Sequence, residues 1–150
     1  MRAVVQRVSE GSVLIDNTIV AQINVGMAIL LGIEINDAKE DSLWLANKIA
    51  HLRIFSDEVA KMNNSILDID GEIIVVSQFT LHAKIKKGNR PSYINAAKPG
   101  NALPLYEQFK KDLSKLIGKE VFSGKFSEDM KVYLVNDGPV TIFIDTKNKQ

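Results

Sequence analysis

The chain has 150 residues, 45% of them hydrophobic, and 19 Lys and Arg against 18 Asp and Glu leave a net charge of +1. That length and apolar share predict one globular domain over residues 1–150 with a sizeable core. There is no cysteine and only two histidines, His51 and His82, are present, which excludes disulfides, thiolate nucleophiles and Cys-based zinc sites and predicts neither metal nor cofactor.

The opening MRAVVQRV lacks the charged, apolar and small-residue succession of a signal peptide, and no apolar run approaches the roughly 20 residues that span a bilayer. A soluble, cytoplasmic protein without a membrane partner is expected. Residues 1–8 read as a strand, 12–16 and 18–23 as a hairpin turning at Asp16-Asn17, and Met27–Ile33 as an apolar strand. After Asn36-Asp37 the period lengthens. Leu45, Ile49 and Leu52 recur at helical spacing, with Ala46 and Ala50 filling the stripe, and Asp37 with Glu40 suits a capping box, so the spacing predicts a helix over 38–53. Ile66–Ile69 reads as a short element. Glu72–Phe79 (EIIVVSQF) is a continuous run rich in β-branched residues, as expected of a central strand buried on both faces. A second helix runs from about Asn101, tolerates Pro104 in its first turn and stops at Gly118. Lys131–Val135 and Val140–Asp145 read as strands separated by a turn-rich linker, residues 136–139. Many strands and two helices in separate crossovers predict an α/β fold in three β/β/α layers, with barrel-like packed sheets and both helices on one side. A ferredoxin-like sandwich competes but has fewer strands.

Charge is unevenly spread. No Asp or Glu occurs from Ile73 through Tyr106, a stretch that carries Lys84, Lys86, Lys87, Arg90 and Lys98. It suits a local positive field for a phosphate backbone and equally a solvated basic loop. Signatures of phosphate-cradling glycine loops, nucleophile elbows, zinc helices and calcium loops are absent. What remains is Ser77-Gln78-Phe79-Thr80, where a buried strand ends and its amides and hydroxyls become free to face a ligand; a plain polar strand end reads the same way.

Ser77-Gln78-Phe79-Thr80 together with Asn136-Asp137-Gly138-Pro139-Val140-Thr141 resembles the paired Ser-Gln-x-Thr and Asn-x-Gly-Pro-x-Thr motifs of the D-aminoacyl-tRNA deacylases. The opening MRAVVQRV, the stretch Lys86-Lys87-Gly88-Asn89-Arg90-Pro91 and Gly124-x-Phe126 followed by Met130 extend the resemblance over almost the whole chain. The chain departs from the family after Phe126, where many members carry Gly-Ala and this one has Ser127-Glu128, in the wall of the adenosine pocket.

The resemblance implies an ester hydrolase acting on the aminoacylated 3′ end of tRNA, built as a homodimer with active sites at the subunit interface. Gly138 and Pro139 of one subunit would enter the pocket around Ser77–Thr80 of the other, their carbonyls facing the substrate's amino group and Arg7 holding the loop. The residues alone predict a trans bond before Pro139, since only about 5–6% of such bonds are cis, and an Arg7 exposed at a strand edge; the resemblance implies cis. Amides near Gln78, Phe79 and Thr80 would serve the oxyanion, with the Ser77 and Thr80 hydroxyls orienting groups around it. Phe126, with Met130 beyond it, would stack near the terminal adenine or serve as an ordinary core aromatic, and Lys84, Lys86, Lys87 and Arg90 would meet phosphates. Thr80 as a covalent nucleophile is a rival that lacks an evident base. His82 is the one nearby candidate, sharing Thr80's face on an extended chain; it reads rather as a phosphate ligand or a solvent-facing residue. A non-catalytic RNA-binding module and a structural dimer whose Gly138-Pro139 turn is only a hairpin are the other classes of function.

Overall fold

The computed structural model describes residues 1–86 and 88–149; Lys87, named above among the basic residues, lies outside them. The chain opens on one 14-residue strand, β1 (Arg2–Ile15), followed by β2 (Thr18–Ile23) and β3 (Gly26–Gly32). Two separate strands were expected in the place of β1. The polar interruption at Ser9-Glu10 is exposed and shifts the register against β8 without ending the strand: β1 changes partner along one edge, from β3 at Arg2–Val8 to β2 at Gly11–Ile15. The β1–β2 turn falls at Asp16 and Asn17, which take φ of 49° and 62°, the left-handed pair that a tight hairpin requires and that Asp and Asn tolerate.

Helix α1 (Lys39–Ala50) leads through the short strands β4 (Phe55–Ser56) and β5 (Met62–Asn64) to β6 (Glu72–Ser77), which lies parallel to β3. The cap of α1 differs from the one expected. Ala38 is the capping residue and donates its N–H to the Asp41 carboxylate at 2.9 Å, while Asp37 accepts from the Glu34 amide at 2.7 Å and pairs with the Met1 amine. Residues 66–70 form turns rather than an element. Helix α2 (Pro99–Ile117) starts two residues before Asn101 because Pro99 fits its first turn, and it ends at Gly118, whose φ of 69° closes the helix through an N–H bond to the Ser114 carbonyl. Strands β7 (Phe122–Ser123) and β8 (Lys131–Asp145) complete the chain.

The sheet runs β2-β1-β3-β6-β7, with β8 antiparallel to β1 along its other edge. Strand β2 approaches β6 and β7, so the sheet curls into a nearly closed barrel. Period-2 alternation gives β6 two cores. Ile73 and Val75 join Leu45, Ile49, Tyr106, Phe109 and Leu113 beneath the two packed helices; Ile74 and Val76 join Val8, Val13, Ala21 and Ile23 inside the barrel. That is the β/β/α layering with helices on one side that the sequence predicts. Tyr106 ties the layers together by donating its hydroxyl to the Val75 carbonyl at 2.9 Å, and burial pushes that hydroxyl's pKa well up, keeping it a donor. Among the described residues no helix is long and apolar enough to cross a membrane.

Candidate active site

Where β6 ends, the chain turns sharply. The Gln78 amide donates to the Leu31 carbonyl at 2.7 Å, extending the β3–β6 pairing by one bond, and Phe79–His82 coil into a single 3-10 turn closed by Leu81 N–H to Gln78 O. The Gln78 amide is therefore bound into the sheet, not free as expected. The Phe79 and Thr80 amides at the head of the turn have no acceptor among the described residues. The Gln78 side-chain amide donates to the Thr80 hydroxyl at 2.5 Å, fixing both side chains at the strand end. Arg2 donates to the Leu81 carbonyl and pairs with Asp145.

This turn forms one wall of a pocket of about 400 Å³, within the range of small-molecule sites. Ser77, Gln78, Phe79, Tyr93, Ala96 and Ala97 line it together with Phe126 and Ser127. Phe79 is half-exposed and meets Tyr93 edge to face, with ring centroids 5.0 Å apart and planes at 76°. Tyr93 went unnoticed in the sequence, where only its place in the basic stretch marked it out. Phe126 is both wall and core: its ring sits 5.4 Å from that of Tyr106 and still faces the pocket. Met130 lines a smaller adjoining hollow with Ser77, Gln78 and Phe79, and packs on Gly124, where a Cβ would collide with its sulfur.

The second motif sits elsewhere. Gln6 pairs with Thr141 and Val8 with Asn136, so residues 137–140 bulge out of β8 opposite Arg7. Both halves of β8 pair with β1 in one direction, which rules out the hairpin reading of this turn. The loop closes on itself: the Asn136 side chain accepts from the Val140 amide at 3.2 Å and donates to the Thr141 hydroxyl at 3.1 Å, which accounts for the spacing of Asn and Thr around Gly-Pro. Arg7 braces it, donating Nε to the Asp137 carbonyl at 3.0 Å and Nη1 to the Ile54 carbonyl at 2.7 Å. Its side chain is only 11% exposed, so it is a strut, not the exposed strand-edge charge that the residues alone predict. The Gly138-Pro139 bond is cis, where the residues alone predict trans, and both residues are exposed.

The two motifs do not meet within one subunit. Ser77 is level with Leu31 on β3, while the loop is level with Arg7, whose partner on β3 is Met27. Four residues of strand separate these levels, about 13 Å at roughly 3.3 Å per residue.

With this geometry in place, the comparison with known proteins is decisive: residues 4–145 match the family model described as D-Tyr-tRNA(Tyr) deacylase. The chain belongs to that family. It is 63% identical to the D-aminoacyl-tRNA deacylase of Bacteroides fragilis (strain YCH46) and 59% identical to that of Flavobacterium psychrophilum, over all of both chains in each case. Among solved structures it is similar to the c-Myc DNA Unwinding Element Binding Protein, with TM-score 0.91, 38% identity and 97% and 98% of the two chains covered. A probable eukaryotic D-amino acid tRNA deacylase shares the fold at TM-score 0.81 and 17% identity.

Ser127, where the resemblance leads one to expect glycine, has φ of 64°, a conformation that suits glycine. A left-handed L-residue costs roughly 1–2 kcal/mol, whereas glycine brings a chain-entropy cost of about 0.5–1 kcal/mol. Ser127→Gly should therefore shift the thermal midpoint little, while Ser127→Val, β-branched at positive φ, should lower stability by more than about 1 kcal/mol. Paired thermal melts check both.

Lys84, Lys86 and Arg90 lie exposed on a loop pinned by reciprocal backbone bonds between Lys84 and Ser92, and Lys98 stands exposed at the pocket rim. His82 does neither of the things expected of it. It is 2% exposed, beneath the turn and against Gly32, so it meets neither solvent nor phosphate, and the coil of the turn removes it from Thr80's face. Among the described residues no three His, Asp or Glu side chains gather closely enough to hold a metal.

Proposed function

We propose that this protein hydrolyses the ester between a D-amino acid, or glycine, and the terminal ribose of tRNA, a chiral proofreading step carried out in the cytoplasm. It works as a homodimer in which the Gly138-Pro139 loop of one subunit completes the pocket at Ser77–Thr80 of the other. One observation carries the reading: the loop is exposed and braced for presentation, yet on its own subunit it is offset from the level of the pocket by about 13 Å along the strands. Only a second copy brings the two motifs together, and the exposed Tyr133, Val135 and Phe143 on β8 offer that copy apolar area.

The chemistry needs an attacking water, a proton path and donors for the developing oxyanion. Water adds to the ester carbonyl; the oxyanion is met by the Phe79 and Thr80 amides; collapse expels the ribose oxygen, which takes the proton that the water gives up. The neighbouring 2′-hydroxyl of the ribose relays that proton, since the Thr80 hydroxyl accepts from Gln78 and no base stands beside it. Phe126 and the apolar pocket receive the terminal adenine by stacking, with Met130 bounding the adjoining hollow. Carbonyls of Gly138 and Pro139 take the substrate's ammonium.

Incubation with matched D- and L-aminoacyl-tRNAs tests the function: release of the D-amino acid alone is expected, equal or absent release would overturn it, and absent release with tRNA still bound would point to a non-catalytic RNA-binding module. Thr80→Ala should leave measurable turnover with no acyl-enzyme in intact-mass spectra, because the hydroxyl positions rather than attacks. If Lys84, Lys86, Lys87 and Arg90 meet phosphates, tRNA affinity should drop on the order of a hundredfold from 50 to 200 mM salt, the counterion release of about four contacts. Filter binding of the fourfold charge-reversal variant should show that dependence flattened for every tRNA alike.

A further inference from the structure

Beneath the Gln78–Thr80 turn lies a polar side chain for which the proposed chemistry has no use. His82 is buried, and among the described residues neither of its ring nitrogens has a hydrogen-bond partner. The ring lies on Gly32: a Cβ added there would come within 3.1 Å of Cδ2 and Nε2 of His82 and 2.8 Å of the Gln78 carbonyl oxygen, so glycine is what admits ring and turn together. On the other side, Nδ1 faces a Glu34 carboxylate oxygen at 3.8 Å, just beyond hydrogen-bond reach. Other charged groups nearby include Arg2 of β1, which pairs with Gly32 in the ladder and donates to the Leu81 carbonyl, and Asp145 of β8, which Arg2 holds at 2.9 Å.

A neutral imidazole buried without partners lowers stability relative to an apolar side chain of similar size. Such a group calls for a reason, and functional sites are where one is found. Here the reason lies in what Glu34 holds. Its backbone bridges to Ala96, flanked by Ile35 N–H to Asn95 O at 3.1 Å and Ala97 N–H to Ile33 O at 2.9 Å. Ala96 and Ala97 line the same pocket as Ser77, Gln78 and Phe79. The Glu34–His82 pair thus links the turn that carries Phe79 to the segment that carries Ala96 and Ala97, both of which line the pocket.

We propose that His82 is a positioning residue for deacylation, resting on the functional reading above: once charged, its imidazolium draws Glu34 into an ion pair through Nδ1, and the two together hold the Gln78–Thr80 turn at a set distance from the Ala96–Lys98 wall. Charging gives Nδ1 the partner it lacks. Through this link the charge of His82 sets how the Phe79 and Thr80 amides face the pocket.

The test compares kcat for a D-aminoacyl-tRNA in wild type, His82→Leu and Glu34→Gln from about pH 5.5 to 8.5, the range that spans ordinary histidine titration. The ratio of wild type to variant cancels any titration of the substrate's own amine. The ratio to His82→Leu should be about tenfold at the acid end, as for a mispositioned site, and fall toward one at the alkaline end. KM should stay within about twofold and the melting temperature of His82→Leu should be unchanged or raised. Glu34→Gln should match His82→Leu, and the double variant should add no further loss. In parallel, titration of His82 followed by NMR, with exposed His51 as the control, should shift the amide resonances of both Gln78–Thr80 and Ala96–Lys98. A kcat ratio independent of pH, or walls whose resonances stay still as His82 titrates, would overturn the proposal. Wild-type protein inert on every aminoacyl-tRNA would instead sink the functional reading, and the NMR experiment would still decide whether His82 couples the two walls.

Discussion

Gly138→Ala is expected to lower deacylation by about a hundredfold, the cost of misplacing a positioning group by an ångström or so, while leaving the barrel folded. The loop residue has φ of 121°, a conformation that L side chains rarely adopt, and its Cβ would stand 2.5 Å from Nη2 of Arg7. Either the loop or the guanidinium must yield. The guanidinium is anchored by the Ile54 and Asp137 carbonyls, so the loop moves and its carbonyls leave the position from which they take the ammonium. Because Gly138 is exposed and both halves of β8 keep their pairing with β1, thermal stability should fall by no more than about 1–2 kcal/mol. The expectation fails if activity and stability fall together, or if activity stays within a few-fold of wild type. Arg7→Ala should lose activity as well, but less sharply, since Asn136 still closes the loop from within.

The second large effect is in substrate choice. Main-chain carbonyls that hold the amino group fix the α-carbon, which then points an L side chain at the protein wall and a D side chain at open space. Overpacking of this kind costs roughly 3 kcal/mol, about a hundredfold or more in rate against L substrates. The selection works by rejecting L and not by recognising D, so a residue with no side chain passes unhindered. D-Tyr, D-Asp and Gly should all be released from their tRNAs, and their L counterparts spared. Side-by-side hydrolysis time courses decide the matter. If glycyl-tRNA resists as strongly as L-tyrosyl-tRNA while D-tyrosyl-tRNA is cleaved, the site reads the D side chain itself and exclusion by the loop is wrong.

Much of this architecture was legible from periodicity. The run EIIVVS announces a strand buried on both faces, and the two cores flanking β6 are the physical reason for it. Both helices were visible in their stripes, α2 almost to its last residue because Gly118 gives a local stop. What escaped depends on distant partners. The continuity of β1 through Ser9-Glu10 is set by β8, some 125 residues away in sequence. Asp37 leaves the cap of α1 because it is bound elsewhere, to Met1 and Glu34. At the pocket, the four residues Ser77–Thr80 were visible as the end of a buried strand and then as a motif, but that Gln78 spends its amide on Leu31 follows only from the register of β3 against β6. His82 misled for a related reason: its place next to Thr80 in an extended chain says one thing, and a 3-10 coil turning it onto Gly32 says another.

The manner in which β8 carries its Gly-Pro loop has a consequence for tinkering with the molecule. Residues 131–136 and 141–145 are each zipped independently to the same long strand, and the intervening residues 137–140 hang outside the ladder. A residue added to or removed from that excursion shifts no pairing on either side, because each flank is held by its own backbone bonds. The barrel thus treats the loop as an exchangeable fitting on a fixed rail, one whose length and chemistry are free to vary while the scaffold that carries it, and the pocket at the ends of β3 and β6, stay as they are.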